Sequence, residues 1–250
     1  MILDSMDVLY ERLTPDELSR RVRDTPVAYL PLGTLEWHGP HMPLGADMIQ
    51  PREFFVELAR RTGGVVLPPL FMGPDEVFEK DGKEFYGMDN NDLVPERPFQ
   101  LVGSAYWIDE NLFARYLDAL VAQLSRVGFR VIVGHGHGPS TTSFLAHAEE
   151  LEKKHHVKLL TMWALFDERE KGFMTDHGAG NETSIMLAES PELVKMQNLP
   201  EDPKEWPLGT AGDDPRRFAS AETGRKVIAA NLDAMEHAIK DALSQLHDGV

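Results

Sequence analysis

The stretch "TPVAYLPLGTLEWHGPHMPLGADM", residues 25–48, joins an apolar run to a strongly polar loop. The apolar run, residues 25–33, is typical of a strand that is buried on both faces. The loop after it carries four side chains that can bind a metal ion or a proton: Glu36, His38, His41 and Asp47. In open α/β sheets, ligands bind beyond the carboxyl ends of the strands. The stretch therefore predicts both a buried strand and a functional site at its end.

The rest of the chain continues the alternation of strands and helices. Further strands are predicted at 64–70, 129–134 and 157–162. Helical spacing predicts helices at 51–63, opening on Pro51, and at 109–128, 141–156 and 219–246, the last interrupted near Gly224. Strands that alternate with helices favour a three-layer αβα fold, in which helices cover both faces of a mostly parallel sheet.

Three residues are predicted to mark helix ends. Asp109 is a candidate N-cap, and Gly128 a candidate stop for the same helix. Asn181 is a candidate N-cap for a short helix that begins with the sequence Glu-Thr-Ser.

Composition and charge exclude some classes of function. With 42% hydrophobic and 26% charged residues, the chain has a globular composition. Its 25 Lys and Arg against 41 Asp and Glu give a net charge of -16, so we expect neither a nucleic acid nor a membrane partner. The chain has no cysteine, and its first residues lack a secretion pattern, so we expect a cytoplasmic protein. No boundary is visible, so we expect one domain over 1–250.

Imidazoles and carboxylates are concentrated in three loops that follow predicted strands or precede a helix. Besides the loop after the first strand, "HGHG" supplies two of them and "MTDHGAGNETS" (174–184) three: His135, His137, Asp176, His177 and Glu182. A single histidine in such a loop is more often a surface or hydrogen-bonded residue. Five of the ten histidines lie in these loops, however, and imidazole with carboxylate suits Zn, Mn, Fe or Co. The pattern predicts a site for a pair of divalent cations.

These motifs resemble those of the creatininase (creatinine amidohydrolase) family. "GTLEWHGPHMPLGAD" (33–47) is similar to the first family motif, "VGHGHG" (133–138) to a turn after a strand, and His177 with Glu182 to a third motif. The resemblance implies a creatininase-like fold, hydrolysis of a C–N bond in a small cyclic or linear amide, two divalent metal ions (Zn, Mn or Fe) and a homo-oligomer, a hexamer in the family.

The resemblance also assigns roles to individual residues. It implies that Asp47 bridges the two metal ions, and that His177 carries a proton to the leaving nitrogen. The implied ligands are Glu36 and His135 on one ion, and His38 with either Glu182 or His137 on the other. His137 stands where many family members have glycine, so it is interpreted as either an unusual ligand or a residue that supports a ligand. His41, Asp176 and Trp37 are expected to orient ligands or to contact substrate, and Trp37 is alternatively a core or interface residue.

Residues 75–107 depart from the family pattern and are rich in Gly, Pro, Asp and Asn. We interpret this segment as an insertion that forms a lid over the substrate, with an ordinary surface insertion as the alternative. Two other functions remain open for the chain: a metal-dependent phosphoesterase, and a binding or assembly protein that keeps the fold without catalysis. Phosphate sites normally contain Arg or Lys, and the three motif regions have neither, which disfavours the phosphoesterase.

Overall fold

The computed structural model describes residues 7–90, 98–165 and 172–247, except for the side chain of His247. Its central sheet has four parallel strands in the order β2-β1-β5-β6. A separate antiparallel pair, β3 and β4, forms a hairpin. The strands are β1 (Val27–Leu32), β2 (Val65–Val66), β3 (Val77–Lys80), β4 (Lys83–Tyr86), β5 (Val131–Gly136) and β6 (Lys158–Leu160).

Eight α-helices occur in the described part of the chain. They are α1 (Pro15–Asp24), α2 (Ala46–Thr62), α3 (Glu110–Val127), α4 (Gly138–Ala146), α5 (Ala148–His155), α6 (Gly180–Glu189), α7 (Pro215–Phe218) and α8 (Ala221–His247). Short 3-10 turns occur between several of them. None of these helices is both long and apolar enough to cross a membrane.

Strand β1 shows why the fold has three layers. Val27 and Tyr29 belong to a core cluster with side chains of α2, α6 and α8, whereas Ala28 and Leu30 belong to a second cluster with α3, α4 and α5. Successive side chains of a strand point to opposite faces, so each cluster lies on one face of the sheet. The three-layer αβα fold expected from the sequence is confirmed.

The pairing of β1 with β5 brings two of the predicted loops together. The two strands are parallel and in register, with Pro31 opposite His135 and Leu32 opposite Gly136. The loop after β1 and the turn after β5 therefore begin side by side, at the carboxyl edge of the sheet.

Helix α2 begins five residues earlier than predicted. Pro51 was expected to open it, but Ile49 already donates its backbone N–H to Gly45, so the first turn is in place before the proline. A proline near a helix start removes only one hydrogen bond. As a result, Asp47 lies in the first turn of α2 rather than in a loop.

Other boundaries also differ from the predicted ones. Strand β2 has two residues instead of seven, and the helix predicted at 141–156 is divided at His147 into α4 and α5. Helix α8 is not interrupted at Gly224, because that glycine packs directly on the carbonyl of Ser184 in α6. Both ends of α3 are confirmed: Asp109 accepts hydrogen bonds from two N–H groups of the first turn, and Gly128 has φ 118°.

Part of the segment 75–107 is ordered against the body of the protein. Its hairpin pairs Phe78 with Phe85, and the Tyr86 ring stacks on Trp107 at 4.9 Å between centroids. Asp89 is buried and accepts the N–H of Leu101 at 2.7 Å. Residues 91–97 of the expected lid lie outside the described residues.

Candidate metal centre

Three overlapping sets of described side chains at the carboxyl edge of the sheet could each hold a metal ion: one consists of Glu36, His38 and His177, and the other two contain Asp47. The first ligand group is Glu36, Asp47 and His137, and the second ligand group is His38, Asp47 and Glu182. Within each group, one donor atom per residue lies within 4.8 Å of the others. Asp47 is common to both groups, and all five residues are at most 3% exposed.

The hydrogen bonds of His38 direct its Nε2 to the carboxylates of the second ligand group. Its Nδ1 lies 3.2 Å from the backbone carbonyl of Glu36, which can only accept, so Nδ1 carries the hydrogen. Nε2 lies 3.2 Å from Asp47 Oδ1 and 3.6 Å from Glu182 Oε2. A carbonyl that fixes the tautomer of a ligating histidine is common in metal sites.

His137 occupies the corresponding place in the first ligand group. Its Nε2 lies 3.4 Å from Glu36 Oε1, and its Nδ1 forms a hydrogen bond of 2.9 Å with the hydroxyl of Ser140. Two ligands of one cation, each about 2.1 Å from it, are roughly 3.0–3.5 Å apart. The separations around His38 and His137 are therefore close to those expected around a bound ion.

The structure does not bring His135 into either ligand group. His135 lies inside β5, where its Nε2 is 3.0 Å from the backbone carbonyl of Phe173 and its Nδ1 is 3.0 Å from the hydroxyl of Thr161. The carbonyl requires a hydrogen on Nε2, so Nδ1 accepts from the threonine. The neutral ring then has no lone pair left for a metal.

Asp47 is held by its helix and by a threonine. It lies in the first turn of α2, where the N-terminal end of the helix dipole favours a negative charge. The hydroxyl of Thr34 donates to Asp47 Oδ2 at 2.8 Å and leaves Oδ1 facing His38. The sequence analysis did not identify Thr34, although it lies two residues before Glu36 in the same loop.

Glu182 is fixed by the loop before α6. Its Oε2 accepts the backbone N–H of Gly178 at 2.7 Å. Asp176 accepts the N–H groups of Asn181 and Glu182 at 2.7 and 3.1 Å, so Asp176 holds the first turn of α6. Asn181 was predicted to be the N-cap, but it is the second residue of the helix.

The two ligand groups concentrate negative charge in a buried place. Burial and the neighbouring Asp47 raise the pKa of Glu36 to about 8, and burial raises the pKa of Glu182 well above its usual value. Burial opposes charge on His38, but Asp47 and Glu182 prevail and raise its pKa to about 10. Burying charged carboxylates without a cation beside them lowers the stability of the fold. Divalent cations would offset that cost, so the donor set fits them.

His177 approaches the ligand groups from the side of the cavity. Its Nε2 donates to the carbonyl of Trp37 at 2.5 Å, and its Nδ1 lies 3.9 Å from Glu36 Oε1. Its ring stacks on His38 at 4.2 Å between centroids. Burial, followed by the positive charge of His38, lowers the pKa of His177 to about 3. The ring is therefore neutral, with the lone pair of Nδ1 on the side of the ligand groups.

His41 and Trp37 lie around the site but belong to neither ligand group. His41 is buried and forms a hydrogen bond of 2.8 Å with the hydroxyl of Thr183, the residue after Glu182. Trp37 donates from its indole to the carbonyl of Val102 at 2.5 Å and offers its own carbonyl to His177. Both residues thus connect the loop after β1 to other segments of the site.

Asp75 and Tyr106 adjoin the site and were not predicted individually. The Tyr106 hydroxyl donates to Asp75 Oδ2 at 2.6 Å, and this oxygen lies 3.5 Å from His137 Nε2. Burial, together with the charges of Glu36 and Asp75, raises the pKa of Tyr106 far above its usual value. Both residues come from the segment 75–107, whose sequence carries no periodic signal that would place them here.

The ligand groups open into a cavity of about 340 Å³. Side chains of the hairpin, the turn after β6 and the loop before α6 complete its wall, among them Phe78, Trp163 and Asp176. The volume falls within the range of small-molecule sites. A three-layer α/β fold with imidazoles and carboxylates clustered at such a cavity is typical of a metal-dependent hydrolase.

Comparison with known families agrees with this class. The creatininase family model, described as creatinine amidohydrolase, matches residues 11–239. The chain belongs to the creatininase family, a family of metal-dependent amidohydrolases.

Two curated relatives align over almost the whole chain. Creatinine amidohydrolase of Pseudomonas putida is 25% identical over 274 residues, covering 95% of this chain and 98% of the relative. The 3-dehydro-scyllo-inosose hydrolase of Thermotoga maritima is 20% identical and covers 97% of this chain and 86% of the relative. The two relatives are thus named for different compounds.

Solved structures share the fold. A crystal structure of creatininase superposes with a TM-score of 0.73 at 23% identity, over 95% of this chain and 98% of that chain. A Bacteroides fragilis protein described as a creatinine amidohydrolase superposes with a TM-score of 0.66 at 20% identity, over 95% and 97%. The similar creatininase structures include a zinc–zinc form and a manganese form.

Proposed function

We propose that this protein is a binuclear metal amidohydrolase that cleaves a non-peptide C–N bond in a small cyclic or linear amide. One observation carries the proposal: a single buried carboxylate, Asp47, belongs to two ligand groups at once. A carboxylate shared by two cations is a common feature of two-metal hydrolytic sites. Family membership supports the reaction type, and the zinc and manganese forms of creatininase support divalent cations.

The proposed ligands follow the two groups. Glu36 and His137 would hold one cation, His38 and Glu182 the other, with Asp47 between them. In this assignment, His137 takes the role that the sequence analysis gave to His135, because His135 Nε2 and Nδ1 already pair with Phe173 and Thr161. Glu182 rather than His137 completes the group of His38.

Bound cations would polarise the amide carbonyl and lower the pKa of a bound water to about 7. The residues of the chain supply the rest of the chemistry. Hydrolysis breaks the C–N bond, gives the carboxyl carbon an oxygen from water, and requires a proton on the leaving nitrogen. We assign the transfer of that proton to Nδ1 of His177, since the carbonyl of Trp37 keeps the hydrogen on Nε2.

The cavity also bears on the alternative functions. None of the described residues that line it is Lys or Arg, and a phosphate ester would normally need such a residue. The phosphoesterase is therefore the weaker candidate. A protein without catalysis would have no need for three buried carboxylates around two imidazoles, an arrangement that costs stability unless cations offset the charge.

We extend the proposal to the assembly and location of the protein. The family resemblance supports a homo-oligomer, with a hexamer as the expected form, and the absence of cysteine is consistent with a cytoplasmic location. Light scattering of the purified protein would test the assembly.

The function is tested by a hydrolysis screen of the protein loaded with Zn²⁺ or Mn²⁺. The substrates should include lactams, cyclic ureas, formamides and small linear amides, with phosphate monoesters as the competing class. We expect turnover of at least one amide that a chelator removes and added metal restores. Turnover of phosphate esters alone, or of nothing with two metals bound, would contradict the proposal.

A further inference from the structure

Asp75 is a carboxylate that lines the cavity but belongs to neither ligand group. Tyr106 donates to its Oδ2 at 2.6 Å, and the backbone N–H of Glu76 donates to its Oδ1 at 2.7 Å. Its side chain is 11% exposed. Each carboxylate oxygen can accept two hydrogen bonds, so Asp75 is held in one position and can still accept further donors.

The carboxylates of the cavity form two sets: those that belong to the ligand groups and those that do not. Two divalent cations would offset the three carboxylates of the ligand groups. Outside these groups, three carboxylates line the cavity: Asp75, Glu76 and Asp176. Asp176 already accepts two backbone N–H groups of α6. Asp75 and Glu76 are therefore the acidic groups most available to a bound molecule.

His137 Nε2 lies 3.5 Å from Asp75 Oδ2, but in our assignment His137 is a metal ligand and does not balance the charge of Asp75 and Glu76. Neither Lys nor Arg is among the described residues that line this cavity or a neighbouring cavity of about 490 Å³. The two cavities share Asp75, Glu76, Gly138 and Pro139. The aromatic rings of Phe78 and Trp163 form part of the same wall as Asp75. A face that combines carboxylates and aromatic rings favours a cation.

We propose that Asp75, assisted by Glu76, selects amide substrates that carry a cationic nitrogen group, such as an ammonium, amidinium or guanidinium. This inference rests on the proposed amidohydrolase function and names the substrate class of the same cavity. The cationic group would donate to Asp75 while the amide carbonyl lies at the ligand groups. Anionic and neutral amides of the same size would lose this interaction.

Binding of small probes to the metal-loaded protein tests the inference without any cleavage. Benzamidinium, benzamide and benzenesulfonate have similar size and carry positive, zero and negative charge. Isothermal titration calorimetry would give their dissociation constants. We expect benzamidinium to bind about tenfold tighter than the other two, as one charge-assisted hydrogen bond supplies. Equal affinities, or tighter binding of benzenesulfonate, would overturn the proposal.

Three variants assign the preference to residues. Asp75→Asn should reduce the ratio of benzamidinium to benzamide affinity about tenfold, and Glu76→Gln should reduce it less. Glu149→Gln removes the same charge from an exposed position of α5 that lines neither cavity, so the ratio should stay unchanged. The ratio is informative because damage to the cavity lowers both affinities. An unchanged ratio in both Asp75→Asn and Glu76→Gln would overturn the role of these residues.

The binding test and the hydrolysis screen can fail independently of each other. If no amide is hydrolysed while the preference for benzamidinium holds, the reaction is wrong and the specificity stands. If amides are hydrolysed without any such preference, the reaction stands and the role of Asp75 is wrong.

Discussion

His135 and His137 are two residues apart in the sequence, but their ring nitrogens have different partners in the fold. The sequence could not separate them, because both follow the same strand in a run of glycines. His135 lies within β5 and uses both ring nitrogens in hydrogen bonds to Thr161 and Phe173. His137 follows the strand and directs Nε2 to Glu36. Only the tertiary partners show which imidazole keeps a lone pair.

This difference predicts the metal content of two variants. His137→Ala should lose one of two metals per subunit, because it removes a ligand from the first ligand group only. His135→Gln should keep both, because glutamine retains a donor and an acceptor. Elemental analysis after purification without chelator gives the stoichiometry. If His135→Gln loses a metal while His137→Ala keeps both, our assignment of the two histidines is reversed.

His177 belongs to the proton transfer rather than to metal binding in our account. His177→Ala should retain two metals per subunit and lose roughly 10²- to 10⁴-fold in kcat, the usual contribution of a positioned acid or base. The assay uses whichever amide the substrate screen identifies. Loss of metal together with activity would show instead that Nδ1 is a ligand, as its place near Glu36 and His38 would then indicate.

At the scale of elements, the contact between α6 and α8 is set by a glycine. In an isolated helix, replacing glycine by alanine is favourable by about 1 kcal/mol. At Gly224, however, a Cβ atom would overlap the carbonyl of Ser184, and such overpacking typically costs about 1–3 kcal/mol. Gly224→Ala should therefore lower the free energy of unfolding, as measured by urea denaturation.

A matched control exists at Gly45. A Cβ atom there would have its nearest neighbours, Ile49 and Leu35, at 3.9 Å, an ordinary contact. Gly45→Ala should change stability by only about 0.5 kcal/mol. If Gly224→Ala is as stable as Gly45→Ala, the contact between α6 and α8 is looser than the structure indicates.

The hairpin of β3 and β4 is expected to select substrate without supporting the metals. Because Phe78 pairs with Phe85, residues 79–84 can be replaced by Asn-Gly, a two-residue turn that suits a hairpin. We expect an altered ratio of kcat/KM values between two amides and an unchanged metal content. Loss of metal in this variant would show that the hairpin belongs to the metal centre, and unchanged specificity would identify it as an ordinary surface insertion.

For the whole molecule, the sequence predicts those features that depend on residues close together in the chain. Hydrophobic periodicity and caps at Asp109 and Gly128 are local signals, and they predicted the layers and both ends of α3 correctly. The start of α2 before Pro51 and the division at His147 were not predicted. Asp75 comes from a segment without periodicity, and only the folded chain places it beside His137. The expectation of one domain over the full chain stays a prediction.

The central claim is that Asp47 is shared by two metal ions, and metal stoichiometry tests it most directly. The measurement is elemental analysis of the wild-type protein and the variants Asp47→Ala, Glu36→Gln and Glu182→Gln, with circular dichroism as the control for folding. We predict two metals per subunit in the wild type, less than one in Asp47→Ala and about one in each glutamate variant, since each glutamate belongs to only one ligand group with Asp47. Two metals retained in folded Asp47→Ala would contradict the account.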